Sequence, residues 1–241
     1  MSGLELLSAE GLRLDGRKPL ELKQIVCKVG IFSEADGSAS IEHGNTKAIC
    51  SVYGPHECVN RAKSVHDKAV VNCEYSMATF STNYRRSRPT GDRRSTELTI
   101  ALEKVFEAAI MTSIYPRSQI DIFVQVLQSD GGNLSACINA ATLALIDAGI
   151  PMKDFVSACT ATYANETALV DLNQLEEISN APTLTLAMQP KLNTVTLFQM
   201  DSRLHLDNLE SILEAAKKGC KDIFTILQRT IKDTLVHNTA K

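Results

Sequence analysis

The chain has no tryptophan and only 5% aromatic residues, so its core cannot rest on stacked rings and must come from aliphatic side chains and alanine. It has no CxxC pair and no cysteine–histidine cluster, which excludes a zinc finger or ribbon. The seven cysteines (Cys27, Cys50, Cys58, Cys73, Cys137, Cys159 and Cys220) are odd in number, widely spaced and mostly within apolar runs. That is the pattern of reduced core thiols in an intracellular protein. No apolar run approaches the ~20 residues of a bilayer span, and no basic-then-apolar segment opens the chain, so a soluble, non-secreted protein is expected. Positive charge is not in excess either. Lys and Arg number 25 against 28 Asp and Glu, a formal charge of −3, so contact with a polyanion would need a local patch. The five histidines share no spacing and read as surface or satisfied core residues.

What is present is 241 residues that are 44% apolar, enough for one large domain or two fused small ones. The centre of the pattern lies between Ile120 and Gly149. Ile120, Ile122, Val124 and Val126 alternate with Asp121, Phe123, Gln125 and Leu127, a strand with at least one buried face. Gly131 and Gly132 make a turn, Asn133 or Ser135 can cap a helix after it, and Ala136 to Ile146 is apolar on nearly every side. This predicts a helix sunk in the core that stops at Gly149-Ile150-Pro151. A glycine turn feeding a helix start has two readings: unpaired N–H groups that hold a phosphate, or a tight turn that packs a buried helix closely on its strand. It is neither a Walker loop nor a dinucleotide fingerprint.

Before this centre, alternation predicts short strands at Ile25–Ile31, Ala39–His43, Ala48–Val52 and Ala69–Tyr75, and a helix from Leu98 to Ile114. After it come strands at Phe155–Tyr163 and Ala168–Asp171, an acidic loop at Leu172–Asn180, a hairpin of Thr183–Met188 and Thr194–Met200, and a long helix from Asp207 to about His237. The lysine-rich face of that helix reads as solvated. Residues 81–97 form the only dense basic stretch, with Arg85, Arg86, Arg88, Arg93 and Arg94, and read as an exposed loop. The order of elements fits an α+β fold, mostly antiparallel sheets covered by helices.

Seven motifs, in order, resemble the RNase PH-like family: Arg13-Leu14-Asp15-Gly16-Arg17, Gly44-Asn45-Thr46-Lys47-Ala48, Gly54-Pro55, Arg93-Arg94 before Glu97, Pro116-Arg117-Ser118-Gln119-Ile120, Gln128-Ser129-Asp130-Gly131-Gly132, and Asp147-Ala148-Gly149-Ile150-Pro151. Together they span almost the whole chain and are most similar to ring subunits of the eukaryotic RNA exosome. The resemblance implies the RNase PH-like (ribosomal protein S5 domain 2-like) fold. It has two βαβα-type halves, about 20–114 and 115–237, packed as one domain over 1–241. It further implies a six-subunit ring in the nucleus, nucleolus and cytoplasm. The partners would be other RNase PH-like subunits, OB- and KH-type cap subunits, a separate hydrolytic nuclease and single-stranded RNA.

Active members of this family perform phosphorolysis, in which orthophosphate attacks the 3′-terminal phosphodiester. Their glycine turn continues Gly-Thr-Arg, and the arginine grips the phosphate. Here Asn133 and Leu134 stand in those places, so Gly131, Gly132, Asn133, Leu134 and Ser135 are expected to form a vestigial phosphate site. Losing such a charged contact removes ~2.7 kcal/mol or more of transition-state stabilisation, a hundredfold or greater. Active members also place two metal-binding aspartates six residues apart. Asp171 and Glu177 stand here, either a vestigial metal site or, for Asp171, a strand-end cap. No catalytic residue, bound metal or cofactor is expected. Arg93 and Arg94 fall on the family's RNA-lining pair, and Arg61 and Lys63 are expected at the channel mouth. The expected function is a non-catalytic ring subunit that threads RNA for 3′-to-5′ processing and decay. The alternatives are an active phosphate-dependent exoribonuclease and a ring scaffold with incidental RNA contact.

Overall fold

The computed structural model describes residues 6–8, 10–58, 65–85, 90–164, 167–179 and 181–239. Alternating apolar and polar side chains give three consecutive antiparallel strands, β1 (Ile25–Val29), β2 (Gly37–His43) and β3 (Thr46–Glu57). β3 outruns the expected Ala48–Val52, because it continues past an irregularity between Tyr53 and His56. β4 (Val70–Met77) comes next, and then α1 (Arg93–Ala109).

α1 corrects the sequence reading at its start. The helix begins at Arg93 rather than Leu98, because Asp92 sits in an extended conformation and its side chain accepts from the Arg93 N–H. The paired arginines therefore lie on a helical turn and not in a loop.

β5 (Ser118–Gln128) inserts between β3 and β4, antiparallel to the first and parallel to the second, so the first sheet runs β1-β2-β3-β5-β4. The sequence placed this strand at the start of the second half. Its hydrogen bonds join it to the first sheet, and the chain changes sheets only after α2 (Asn133–Asp147). The second sheet holds β6 (Ser157–Ala164), β7 (Thr167–Val170), β8 (Thr183–Gln189) and β9 (Thr194–Met200) in the order β7-β6-β8-β9, antiparallel throughout. The acidic stretch expected as loop contains a short helix, α3 (Gln174–Ile178), closed by a capping box between Asn173 and Glu176. The last element is α4 (Leu206–Thr239).

The helices do not cover the sheets from outside. α2 packs on β2, β3 and β5 with one side and on β6 and β8 with the other, α1 joins β4 to β9, and α4 lies on β6, β7 and β8 and reaches β1. They form a middle layer between two sheets. That explains why twelve consecutive residues of α2, Leu134 to Leu145, are buried: neither face meets water. Ile138, Leu143 and Leu145 of α2 join Ile41, Ile120, Ile122 and Leu184 among the largest fully buried side chains, each worth about 1.5–3 kcal/mol of transfer free energy. Six of the seven cysteines are buried and none is in a disulfide. Burial pushes the Cys27 thiol up to about 11 and the Cys220 thiol to about 12, so these thiols are inert packing groups. No helix among the described residues is long and apolar enough to cross a membrane.

Sheet and helix approach each other tightly at Gly37. A Cβ there would lie 2.2 Å from the Ala144 carbonyl oxygen and 2.4 Å from the Ala148 nitrogen. Both are backbone atoms of the end of α2 and cannot swing aside. Gly37→Ala is therefore expected to lower stability by about 1–3 kcal/mol through overpacking, read as a lower urea midpoint at unchanged m. An unchanged midpoint would mean that α2 slides freely between its sheets.

Candidate functional site

The N-terminal ends of α1 and α2 open onto one cleft of about 700 Å³, walled further by α3 and the second sheet. Its rim carries Arg93 and Arg94, its floor Gly132, Asn133 and Leu134, and its far wall Gln174, Glu177, Gln199 and Asp201. The elements that aim these side chains are far apart in sequence, and a buried polar corner holds them together.

That corner is built on Asp171, just past β7, which is 1% exposed and held at φ 62. Its Oδ2 accepts the Lys23 backbone N–H at 2.7 Å and lies 2.9 Å from His43 Nε2 and 3.7 Å from Arg17 Nη1. The Lys23 ammonium bonds the carbonyls of Leu172 (2.7 Å) and Asp130 (3.0 Å), and thereby ties the corner to the turn before α2. Arg13, 3% exposed, pairs through Nε and Nη2 with both oxygens of Glu176 and also donates to the carbonyls of Val170 and Asp171. Burial alone would raise the Asp171 carboxyl, but the charge and contact of His43, with Lys23 behind it, outweigh burial and hold it down at about 2. Burial pushes the Lys23 ammonium below its usual range against the pull of Asp171.

The sequence missed this constellation. The segment 13–17 was legible only as a family motif and His43 only as a histidine without spacing. Nothing local marks Arg13 as a residue that crosses to Glu176. The Asp171 side chain turns to Lys23, His43 and Arg17 rather than to the turn that follows it, whose Leu172 N–H goes to Thr160 Oγ1. A carboxylate already facing His43, Lys23 and Arg17 is a poor ligand for a hard cation, and among the described residues no group of three or more His, Cys, Asp or Glu is placed to hold a metal.

The glycine turn shows which of its two readings applies to which residue. Gly131 (φ 80) is a packing glycine, since a Cβ would come 2.5 Å from the Leu172 carbonyl oxygen. Its own carbonyl accepts from Thr46 Oγ1 at 2.7 Å. Gly132 (φ 62), and not Asn133 or Ser135, is the N-cap residue of α2. Asn133 Nδ2 donates to Ser129 Oγ at 2.8 Å, and Ser135, fully buried, donates its hydroxyl to the Gly132 carbonyl at 2.8 Å. Ser135 therefore does not face the cleft. Gly132 N–H does, and it donates to Glu177 Oε1 at 2.7 Å. Burial raises the Glu177 carboxyl, while the Gly132 hydrogen bond and the charge of Arg94 pull it back. Leu134, 7% exposed, presents hydrocarbon to the same space.

Arg93 and Arg94 are exposed on the first turn of α1, where the helix dipole disfavours cations by ~0.3–1 kcal/mol each. Arg93 recovers part of this through Glu97, whose Oε1 lies 3.0 Å from its Nε. Against these two guanidiniums the cleft lining carries four carboxylates, Asp92, Glu97, Glu177 and Asp201. Among the described residues its local balance is acidic. Arg61 and Lys63, like Arg86 and Arg88 of the basic stretch, lie outside the described residues.

The depressed Asp171 carboxyl makes a pH prediction. A group whose folded value (about 2) lies below its ordinary value (3.8) contributes stability that is present above pH ~4 and lost as pH falls toward 2, here about 2 kcal/mol. The urea midpoint should fall across that window in the native chain and fall less in Asp171→Asn. Arg13→Met strands a buried carboxylate and should cost about 3–5 kcal/mol at neutral pH. A cost below about 1 kcal/mol would show that water reaches Glu176 in solution.

The chain matches two family models, "3′ exoribonuclease family, domain 1" over residues 21–151 and "domain 2" over 154–219. It is 55% identical to human exosome complex component RRP41 over 233 residues, 96% of this chain and 95% of that one. Among solved structures, rice Rrp46 superposes with a TM-score of 0.80 at 22% identity, covering 90% of this chain and 99% of Rrp46. A structure described as the Archaeoglobus fulgidus exosome with RNA bound to the active site superposes at 0.77 and 21% identity, covering 90% and 92%. At those identities the superpositions speak for the fold, and the sequence matches for the family: the chain belongs to the RNase PH family of 3′ exoribonucleases.

Proposed function

We propose that this chain is a non-catalytic, RNA-facing subunit of an RNA exosome ring. Its assembly with other exosome subunits is supported by near full-length identity to exosome component RRP41. The observation that carries the loss of chemistry is the floor of the cleft: where an arginine would grip orthophosphate stands Leu134, and the adjacent Gly132 N–H is engaged by Glu177. Stabilising charge on an attacking phosphate needs donors and cations aimed at it, and this floor offers hydrocarbon and a carboxylate. The RNA-facing role rests on Arg93 and Arg94, two exposed cations held at an electrostatic cost on a helix end. In the assembled ring they would meet the backbone of RNA passing to a hydrolytic nuclease carried by the complex, with OB- and KH-type subunits at the entrance. The acidic balance of the described lining favours one competing reading, a scaffold whose RNA contact is incidental.

Two measurements separate these readings. Purified chain and reconstituted ring, incubated with a 3′-labelled oligoribonucleotide and orthophosphate, should release no nucleoside diphosphate; phosphate-dependent release would mean that the site is active. In the ring, Arg93→Ala with Arg94→Ala should lower the slope of log affinity against log salt by about 1.4 units, as for two lost single-strand phosphate contacts. An unchanged slope would leave the scaffold reading.

A further inference from the structure

We infer that Glu177 determines which anions the cleft admits: its carboxylate takes the Gly132 N–H at the start of α2, and so closes the floor to free orthophosphate independently of Leu134. The inference rests on the non-catalytic reading above but concerns binding rather than turnover.

The contact is a built one. α2 is a 15-residue helix whose N-cap residue has no side-chain cap, so its first N–H groups and its dipole would draw an anion from solution. The structure supplies that anion internally. Glu177 Oε1 accepts from Gly132 N at 2.7 Å. The carboxylate comes from a rigid base: α3 is fixed at its start by the Asn173–Glu176 capping box, and Glu176, the residue before, is locked by Arg13. The chain has little freedom to withdraw Glu177 when a competitor arrives. Length matters as well. An aspartate at 177 would end about one C–C bond, ~1.5 Å, short of the glycine N–H.

The neighbourhood argues the same way. The charges of Arg94 and Lys23 both reach Glu177 and are partly offset by it, and Asp201 adds a further negative charge nearby. A phosphate dianion entering this floor would meet one carboxylate in its place and another beside it. RNA differs, because its singly charged phosphates can be met at the exposed rim by Arg93 and Arg94 without reaching the floor.

The test compares orthophosphate binding in two pairs of full-length proteins: native chain against Glu177→Ala, and Leu134→Arg against Leu134→Arg with Glu177→Ala. Binding is read by phosphorus NMR titration and by the rise in thermal midpoint in phosphate over chloride at matched ionic strength. Circular dichroism confirms that each variant is folded. Removing the carboxylate should tighten phosphate at least tenfold in one or both pairs, and Glu177→Asp, which frees the N–H but keeps the charge, should tighten it less than Glu177→Ala. If neither pair tightens tenfold, Glu177 is not the gate and the inference is overturned. Phosphorolysis by the native chain would overturn the non-catalytic reading itself, whereas phosphate binding without turnover, equal in native chain and variant, would overturn this inference alone.

Discussion

The structure depends on one buried carboxylate. Asp171 ends β7 in a left-handed conformation that costs a non-glycine residue on the order of 1 kcal/mol, and it persists because the chain around it leaves no alternative. Lys23 comes from the segment before the first sheet, His43 from the β2–β3 corner and Arg17 from the N-terminal turn, and all three face the same carboxylate. Taking one anion and several cations out of water is expensive, and the Coulomb attraction offsets that cost only where the remaining donors and acceptors are also met. The Lys23 ammonium meets that condition with two carbonyls, and Arg13 does so with two carbonyls and a carboxylate. The energy of this corner lies less in net stability than in geometry. It joins the N-terminal strap, the first sheet and the second sheet at one point.

The cleft inherits its shape from that joint. The Lys23 ammonium and Thr46 hydroxyl fix the turn that precedes α2 from below, and the 172–174 backbone fixes it from the side, where only a glycine fits. The same corner carries α3, so the distance between the Gly132 N–H and the Glu177 carboxylate is set by the scaffold and not by a mobile loop. Scaffold and site are therefore not separable here. A substitution at Arg13, remote from the cleft in sequence, acts on the position of Glu177 through Glu176.

Much of the fold was legible because its signals are periodic. Strict alternation found β1, β2, β4 and β5 and the β8–β9 hairpin, and continuous apolar character marked α2 as a helix with no solvent face. The boundaries that failed did so for identifiable reasons. Apolar spacing starts α1 at Leu98, but a capping aspartate starts it five residues earlier; the hydrophobic pattern is silent about a polar first turn. The acidic stretch hid α3, because a five-residue helix shows a capping box before it shows any period. The layer order was invisible for another reason: a helix apolar on all sides says that it is covered, and not by what. For the site, the family motifs led to Gly131, Gly132, Leu134, Asp171 and Glu177. They could not tell that Ser135 turns into the core, or that Glu177 lies on Gly132. Both facts are set by contacts that no local pattern records.

The two helix ends that meet at the cleft answer the same local rule in different ways. A helix N-terminus favours negative charge, yet α1 opens with two arginines, a cost offset in part by Asp92 at the N-cap and by Glu97 one turn on. α2 obeys the rule, but with a carboxylate borrowed from another element rather than a cap of its own. α1 is thus capped by its own Asp92 and α2 by a carboxylate from α3. Under the proposed function, that arrangement puts exposed arginines at the rim for a passing polyanion over a floor whose Gly132 N–H is already taken. It is the reverse of what a phosphate-activating site requires, in which the strongest donors lie deepest and stay free until the reactant arrives.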